Sequence, residues 1–493
     1  MIRIDQNLNL MDFMCVVERF EPIELSSEAK ERIEKSAAYV RQAGEEGKVV
    51  YGVTTGLGAN SEIAIDSSQT EIFQRNILRS HATSVGRAMT QVEVRALMLA
   101  IVVHGVKGYS GVRVETLQRY IDMLNEKLYP VVPCEGSVGY LSPESHLGLV
   151  AIGEGNIFVE KEEKRASEVF EGLGWAPLVL TYKEALFLIS GTTSATALAA
   201  VGGYRSLRAA ASADRIAALT IEMSGGNIRA FDPGVMSIRK QPEQGETAQL
   251  LRESMGDAQI YQEGEQRLQD ALSLRCVPQV HGAAKEKIKQ SLDTIERELK
   301  SCMDNPVILE VEEGMDTYSS GNPDASYIGL AADCLAIADT MIAKMSERRT
   351  FRMLDSKLSG YPAFLVRNPG LNNGLMIPQY TQAGLLNTMK GLCMPAVVDS
   401  IPTCANQEDY VSMGYNAAYK LQEVTKNLEY ILAIELLTSY QLYQFVREQT
   451  RVSARAKELY ARIERHLPPI ESDVYLYDYI EQLKDMIHQG ELL

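Results

Sequence analysis

The run from Ala417 to Glu448 contains neither glycine nor proline. Within it Leu421, Val424, Leu428 and Ile431 recur at three-to-four spacing, the mark of a helix with an apolar face. At 1.5 Å per residue such a helix is roughly 45 Å long, more than a small domain is wide. Its sides must be covered by other helices or by other copies of the chain. Two further runs, Tyr182 to Met223 and Gly329 to Leu354, predict long helices of the same kind. Strand signals are sparse. NPVILEVEEG at 305–314, followed by MDTYSS, reads either as a hairpin turning at Glu313-Gly314 or as a loop.

The first 170 residues look different. Short helical patterns alternate there with Gly-rich punctuation: YGVTTGLGAN at 51–60, KGYSG at 107–111 and EGSVGYLSPESH at 135–146. Loops of this kind between helices are where sites tend to be built. The expected fold is therefore mainly α. A loop-rich N-terminal catalytic part covers residues 1–180, and a long-helix bundle with C-terminal helices covers 181–493, with a soft boundary. No internal repeat at solenoid periods is visible.

Charge narrows the partners. Forty-nine basic against 65 acidic side chains leave a net charge of −16, which argues against a nucleic-acid backbone or an anionic membrane as partner. The seven cysteines are scattered with no C-x-x-C, so neither a disulfide framework nor a zinc ribbon is expected, and a reducing, cytoplasmic setting is. The opening MIRIDQNLNLMDF has no long apolar core and predicts no signal peptide. Ala185 to Tyr204 carries no charge and is long enough to span a bilayer. It is rich in Gly, Ser and Thr and runs into Arg205, Arg208 and Arg215, which fits a buried helix of a soluble core better.

Generic catalytic signatures are absent. The chain has no G-x-x-x-x-G-K-[ST], G-x-G-x-x-G, H-E-x-x-H or G-x-S-x-G, and its six histidines lack metal-ligand spacing. No metal is expected. Five longer blocks remain, each with a plain structural reading beside the chemical one. Tyr51 enters a Gly-rich loop that is, at its simplest, a turn. His81 closes FQRNILRSH, where a helix-end histidine is ordinary. QDALSLRC at 269–276 offers Gln269 and Arg275, the latter a planar fork suited to a carboxylate. SSGNPDAS at 319–326, with Asn322 and Asp324, is a polar loop. PTCANQEDYVSM at 402–413 sets Glu408 and Asp409 among amides, where a cap is the usual role.

Together the blocks resemble, in order and spacing, the histidine and aromatic amino acid ammonia-lyase family. Its patterns YGVNTGFG, GYSG, GSVGASGDLAPLAH, SLRCxPQ, DNP, GGNFHA and DSIPTSANQED find counterparts here. They are YGVTTGLG, GYSG at 108–111, GSVGYLSPESH, SLRCVPQ at 273–279, DNP at 304–306, GNPDA at 321–325 and DSIPTCANQED at 399–409. The resemblance implies a helical bundle of the ammonia-lyase/fumarase-like type, assembled as a homotetramer with shared active sites. It implies Tyr51 as the base that removes the β-proton and Arg275 as the carboxylate anchor. His81 and Glu408 match the two positions that separate imidazole from phenyl substrates.

Departures from the pattern are as specific. The family makes a methylidene-imidazolone electrophile from an Ala-Ser-Gly triplet inside its chain. Here Gly136-Ser137-Val138-Gly139 runs straight into Tyr140-Leu141-Ser142-Pro143, three residues shorter and without the triplet, so no such cofactor is expected. The family asparagine of L-N-G-T is Ser190, the tyrosine of Q-D-P-Y-S-L-R-C is Leu272, and the Phe-His of G-N-F-H-A is Pro323-Asp324.

The electrophile exists to activate a nitrogen lone pair, and a quaternary nitrogen has none. Loss of the triplet with base and anchor kept therefore points to an imidazole betaine as small-molecule substrate. The expected reaction is trimethylamine loss from ergothioneine to give thiourocanate, as in the ergothionase branch of the family. Glu408 and His81 would hold the heterocycle, and Leu272 and Ser190 would make room for the methyl groups. Asp324 or an aromatic such as Tyr140, Tyr380 or Tyr410 would face the cation. A phenol ionises near pH 10 in water, so Tyr51 needs a cation near it, with Arg275 or Lys390 as candidates. Open alternatives are a lyase of another quaternary or histidine-like amino acid, an ammonia-lyase or aminomutase working without the electrophile, and a non-catalytic tetrameric binder of imidazole metabolites.

Overall fold

The computed structural model describes residues 1–159, 162–258, 267–448 and 451–493. Helix dominates. The elements that matter for the site are α1 (Thr70–His81), α2 (Gln91–Gly105), α3 (Ser142–Ala151), α4 (Glu184–Ile189), α5 (Thr193–Met223), α6 (Val277–Leu299), α7 (Ser326–Leu354), α8 (Met376–Leu392) and α9 (Gly414–Val446). The strands β1 (Val307–Val311) and β2 (Gly314–Tyr318) form the hairpin, antiparallel with Val311 opposite Gly314. The mainly α expectation holds, and so do two of the three long helices: α7 and α9 match their expected spans to within about three residues.

The third long helix breaks. Tyr182 to Met223 is not continuous: α4 ends at Ile189, and α5 begins at Thr193. Gly191 takes φ +101°, outside the range of L side chains, and a Cβ there would press on the Met303 carbonyl oxygen at 2.9 Å. At the break Ser190 caps α4 in extended conformation. The 184–223 stretch meets the length and apolarity of a membrane span, but its most apolar window is entirely buried in protein.

The chain divides into two compact units. The first joins Met1–Gly202, Leu292–Asp333 and Pro395–Lys420; the second joins Gly203–Ser291, Cys334–Met394 and Leu421–Leu493. In the first, α2 is apolar almost all round and lies buried from Glu93 to Gly105. A reciprocal cap fixes its start: the Thr90 side chain accepts from the Glu93 N–H, and the Glu93 carboxylate accepts from the Thr90 N–H at 2.7 Å. Ile308 of β1 packs with Val40, Val50 and Val53, anchoring the hairpin beside the Tyr51 loop. A buried ion pair joins Lys183 to Asp304.

The second unit is a bundle around α5, α7 and α9. Its core holds a charged lock: Arg349 on α7 grips Glu435 on α9 through Nε at 2.5 Å and Nη2 at 2.8 Å, and Thr220 on α5 donates to the same carboxylate at 2.8 Å. Both charged side chains are fully buried. Nearby, His281 on α6 contacts Asp214 of α5 at 2.7 Å, with Lys285 on the other carboxylate oxygen.

Candidate active site

One cavity of about 840 Å³ in the first unit gathers the loop blocks, within the size usual for small-molecule sites. Tyr51, His81, Tyr140, Ser190 and Glu408 all line it. The Tyr51 loop is folded back on itself by backbone bonds from Gly56 to Ile63 and from Ile65 to Thr54, each 2.9 Å. Gly52 (φ +66°) cannot carry a side chain, because a Cβ would collide with Leu186 of α4. The loop brings the Gly58 N–H to the Tyr51 phenolic oxygen at 3.0 Å. Gly58 is itself in left-handed conformation, hard against the Cys404 thiol.

Helix α1 presents Phe73, Asn76, Ile77, Ser80 and His81 to the cavity. These positions fall on one helical face. At its end the His81 Nδ1 sits 2.8 Å from the Ile77 carbonyl oxygen and 3.0 Å from Ser80 Oγ. A carbonyl only accepts, so Nδ1 carries the proton and Nε2 is the ring atom left for a ligand. Glu408 is held by Thr403, whose hydroxyl donates to Oε2 at 2.8 Å and whose N–H donates to the Glu408 carbonyl. Between these two residues Cys404, Ala405 and Asn406 all have positive φ, from 51° to 67°. Three consecutive left-handed residues without a glycine store strain of about 1–2 kcal/mol each, a cost seen mainly where geometry serves a site. Oε1 of Glu408 is left unengaged among the described residues.

Tyr140 was only a candidate aromatic in the sequence; here it is part of the wall. Burial, together with the nearby Glu408, Tyr51 and Asp324, pushes its phenol well above the usual range, so it stays protonated. Among the described residues no lysine or arginine lines the cavity, and Glu408 is its carboxylate.

Other expected residues lie elsewhere. Gln269 and Arg275 share a separate cavity of about 450 Å³ in the second unit, where Arg275 Nε donates to the Asp270 carbonyl at 3.0 Å. Leu272, on the short helix Leu272–Arg275, is 60 % exposed. Lys390 is exposed on α8, also in the second unit. Asn322 and Asp324 do not line the cavity: the Asn322 amide donates to the Cys302 carbonyl at 3.0 Å, and Asp324 accepts from the Ser326 N–H at the start of α7. Tyr380 is exposed, and so is Tyr410, whose hydroxyl contacts Ser326 Oγ at 3.0 Å. Sequence reasoning passed over Phe73, Asn76 and Ile77, although their spacing relative to His81 was the available signal.

A model of the "Aromatic amino acid lyase" family matches residues 8–465. The chain belongs to this family. The histidine ammonia-lyase of Alkaliphilus oremlandii (strain OhILAs) is 41% identical over 497 residues, covering 100% of this chain and 97% of that protein. Among solved structures, histidine ammonia-lyase from Trypanosoma cruzi superposes with a TM-score of 0.92 at 34% identity, covering 99% of this chain and 94% of that one. Ergothionase from Treponema denticola, in complex with desmethyl-ergothioneine sulfonic acid, gives 0.90 at 25% identity over 100% of both chains. The long-helix architecture is that of this lyase family. The expected trimethylamine loss from ergothioneine is overturned: the full-length relative at 41% is a histidine ammonia-lyase, and the ergothionase is far more distant.

The family's self-made electrophile does not fit the residues present. Ring closure needs the amide nitrogen after a serine to attack the carbonyl before it. The residue after Ser142 is Pro143, whose nitrogen has no hydrogen. Ser137 is the serine of Gly136-Ser137-Val138-Gly139, a stretch that the family carries ahead of its triplet and does not cyclise. Ser142 is also otherwise engaged: its Oγ accepts from the Thr83 N–H at 3.1 Å and from the Ser84 hydroxyl at 2.8 Å.

Proposed function

We propose that this protein is a carbon–nitrogen lyase that converts L-histidine, or a close imidazole amino acid, to the corresponding acrylate and ammonia. The observation that carries the reading is one cavity lined together by Tyr51, His81 and Glu408. The name of the full-length relative supports histidine as the substrate.

The residues suggest how the reaction would run. Glu408 Oε1 and His81 Nε2 bracket the imidazole, and the carboxylate favours its protonated form. An imidazolium withdraws electrons from Cβ and acidifies its proton. Tyr51 takes that proton as general base, the Cβ–H electron pair becomes the Cα=Cβ bond, and the Cα–N pair leaves with nitrogen. An α-ammonium departs as neutral ammonia, so charge and atoms balance with no further reactant.

Arg275 remains the proposed carboxylate anchor, with Gln269 beside it, supplied by a second copy of the chain in a homotetramer. Exposed apolar side chains at Tyr327, Leu330 and Ile337 along α7, and at Ile377 and Tyr380 on α8, support burial by such copies. Purified protein given L-histidine, L-phenylalanine and L-tyrosine in parallel tests the reading. Urocanate and equimolar ammonia are expected from histidine alone; turnover of the phenyl substrates but not of histidine would overturn it.

A further inference from the structure

We propose that the loop Gly136–Ser142 is never cyclised and that Tyr140, standing where the family carries its triplet, receives the substrate's α-ammonium on its phenolic oxygen. The proposal rests on the lyase reading above and says how that site handles the amine. The nitrogen is bound as a cation and leaves as ammonia without first bonding to the protein.

Three observations meet here. Ser142 is followed by a proline, whose nitrogen has no hydrogen for ring closure, and Ser137 belongs to the stretch ahead of the triplet's place. Both hydroxyls are committed: Ser142 to Thr83 and Ser84, Ser137 to the Tyr140 carbonyl at 3.2 Å. Leu141 is held at φ 85°, ψ −63°, a strained γ-turn geometry for a leucine. That turn separates Tyr140 from α3 and sets it on the wall that also carries Tyr51 and Glu408. Finally, the wall that one copy supplies presents a carboxylate and phenols but no lysine or arginine among the described residues, so the field beside Tyr140 favours a cationic ligand group. A protonated phenol keeps oxygen lone pairs for an N⁺–H donor.

Two measurements on the full chain test this. The first is its intact mass with peptide mapping of residues 136–142: the unmodified sequence mass is expected, and any dehydrated form of this loop would overturn the first half. The second compares binding of L-histidine and of its deamino analogue, imidazolepropionate, to the parent and to Tyr140→Phe. The Kd for histidine should rise about tenfold or more, the range for a hydrogen bond to a charged group, with imidazolepropionate unchanged. Equal weakening of both ligands, or of neither, would overturn the ammonium contact. Failure of the parent to bind either ligand would overturn the histidine reading and Tyr140's role with it, while the mass result stands by itself.

Discussion

The Gly58 N–H points at the Tyr51 phenolic oxygen from 3.0 Å, seven residues along the same loop. A hydrogen bond to that oxygen strengthens when the oxygen becomes negative, as a base must before it takes a proton. Gly58 has no room for a side chain, since its φ is +55° and a Cβ would strike Cys404 Sγ. Gly58→Ala should therefore leave the helices folded by circular dichroism and lower kcat by about tenfold or more, from displacement of the donor. An unchanged kcat would detach this contact from the chemistry.

Glu408 is the carboxylate of a wall that has no lysine or arginine among the described residues. Glu408→Gln retains an oxygen for the Thr403 hydroxyl and removes the negative charge. Loss of a charge-assisted contact to an imidazolium should raise the KM for histidine about tenfold or more. Steady-state kinetics at neutral pH would check it; an unchanged KM would remove Glu408 from ring recognition.

The Arg349–Glu435 pair makes a prediction about stability. Arg349→Met leaves Glu435 buried without its cation, a situation that typically costs about 3–5 kcal/mol. Denaturant unfolding should show that loss, and the double variant Arg349→Met/Glu435→Leu should recover most of it. A single variant as stable as the parent would contradict the lock drawn for the bundle.

Asp339 on α7 is fully buried, with one oxygen accepting from Ser206 at 2.7 Å and the other without a partner among the described residues. Burial pushes its carboxyl up from 3.8 to about 8, helped by the nearby Glu429. Between those values the folded chain holds a proton that the unfolded chain has released. Its contribution to stability is thus complete below the lower value and is lost as pH rises through the upper. Asp339→Asn keeps an acceptor for Ser206 and has nothing to titrate. Its Tm should fall less steeply than the parent's from about pH 5 to about pH 9; parallel curves would contradict the assignment.

How much of this the sequence carries depends on the scale of the signal. The helices α7 and α9 are legible because apolar residues repeat at helical spacing over many turns. The break at Ser190–Thr192 is not, since one glycine inside a helical pattern is usually tolerated, and only the packing of Met303 against Gly191 reveals the left-handed turn. Tyr51, His81 and Glu408 were visible through their motifs, and the cavity unites them. Asp324 is ambiguous in sequence because a carboxylate beside a helix start reads equally as ligand and cap; in the structure it accepts from the Ser326 N–H. The strained turn through Cys404, Ala405 and Asn406 had no local marker at all, because none of the three is a glycine.

The most direct test follows urocanate formation from L-histidine by the parent and by Tyr51→Phe, with histidine binding measured alongside. The parent should turn over, and the variant should bind histidine with similar affinity while its kcat falls by about 10² to 10⁴, the range for a lost acid–base group. A Tyr51→Phe variant that forms urocanate at the parent's rate, or a parent that binds histidine and never forms it, would contradict the mechanism.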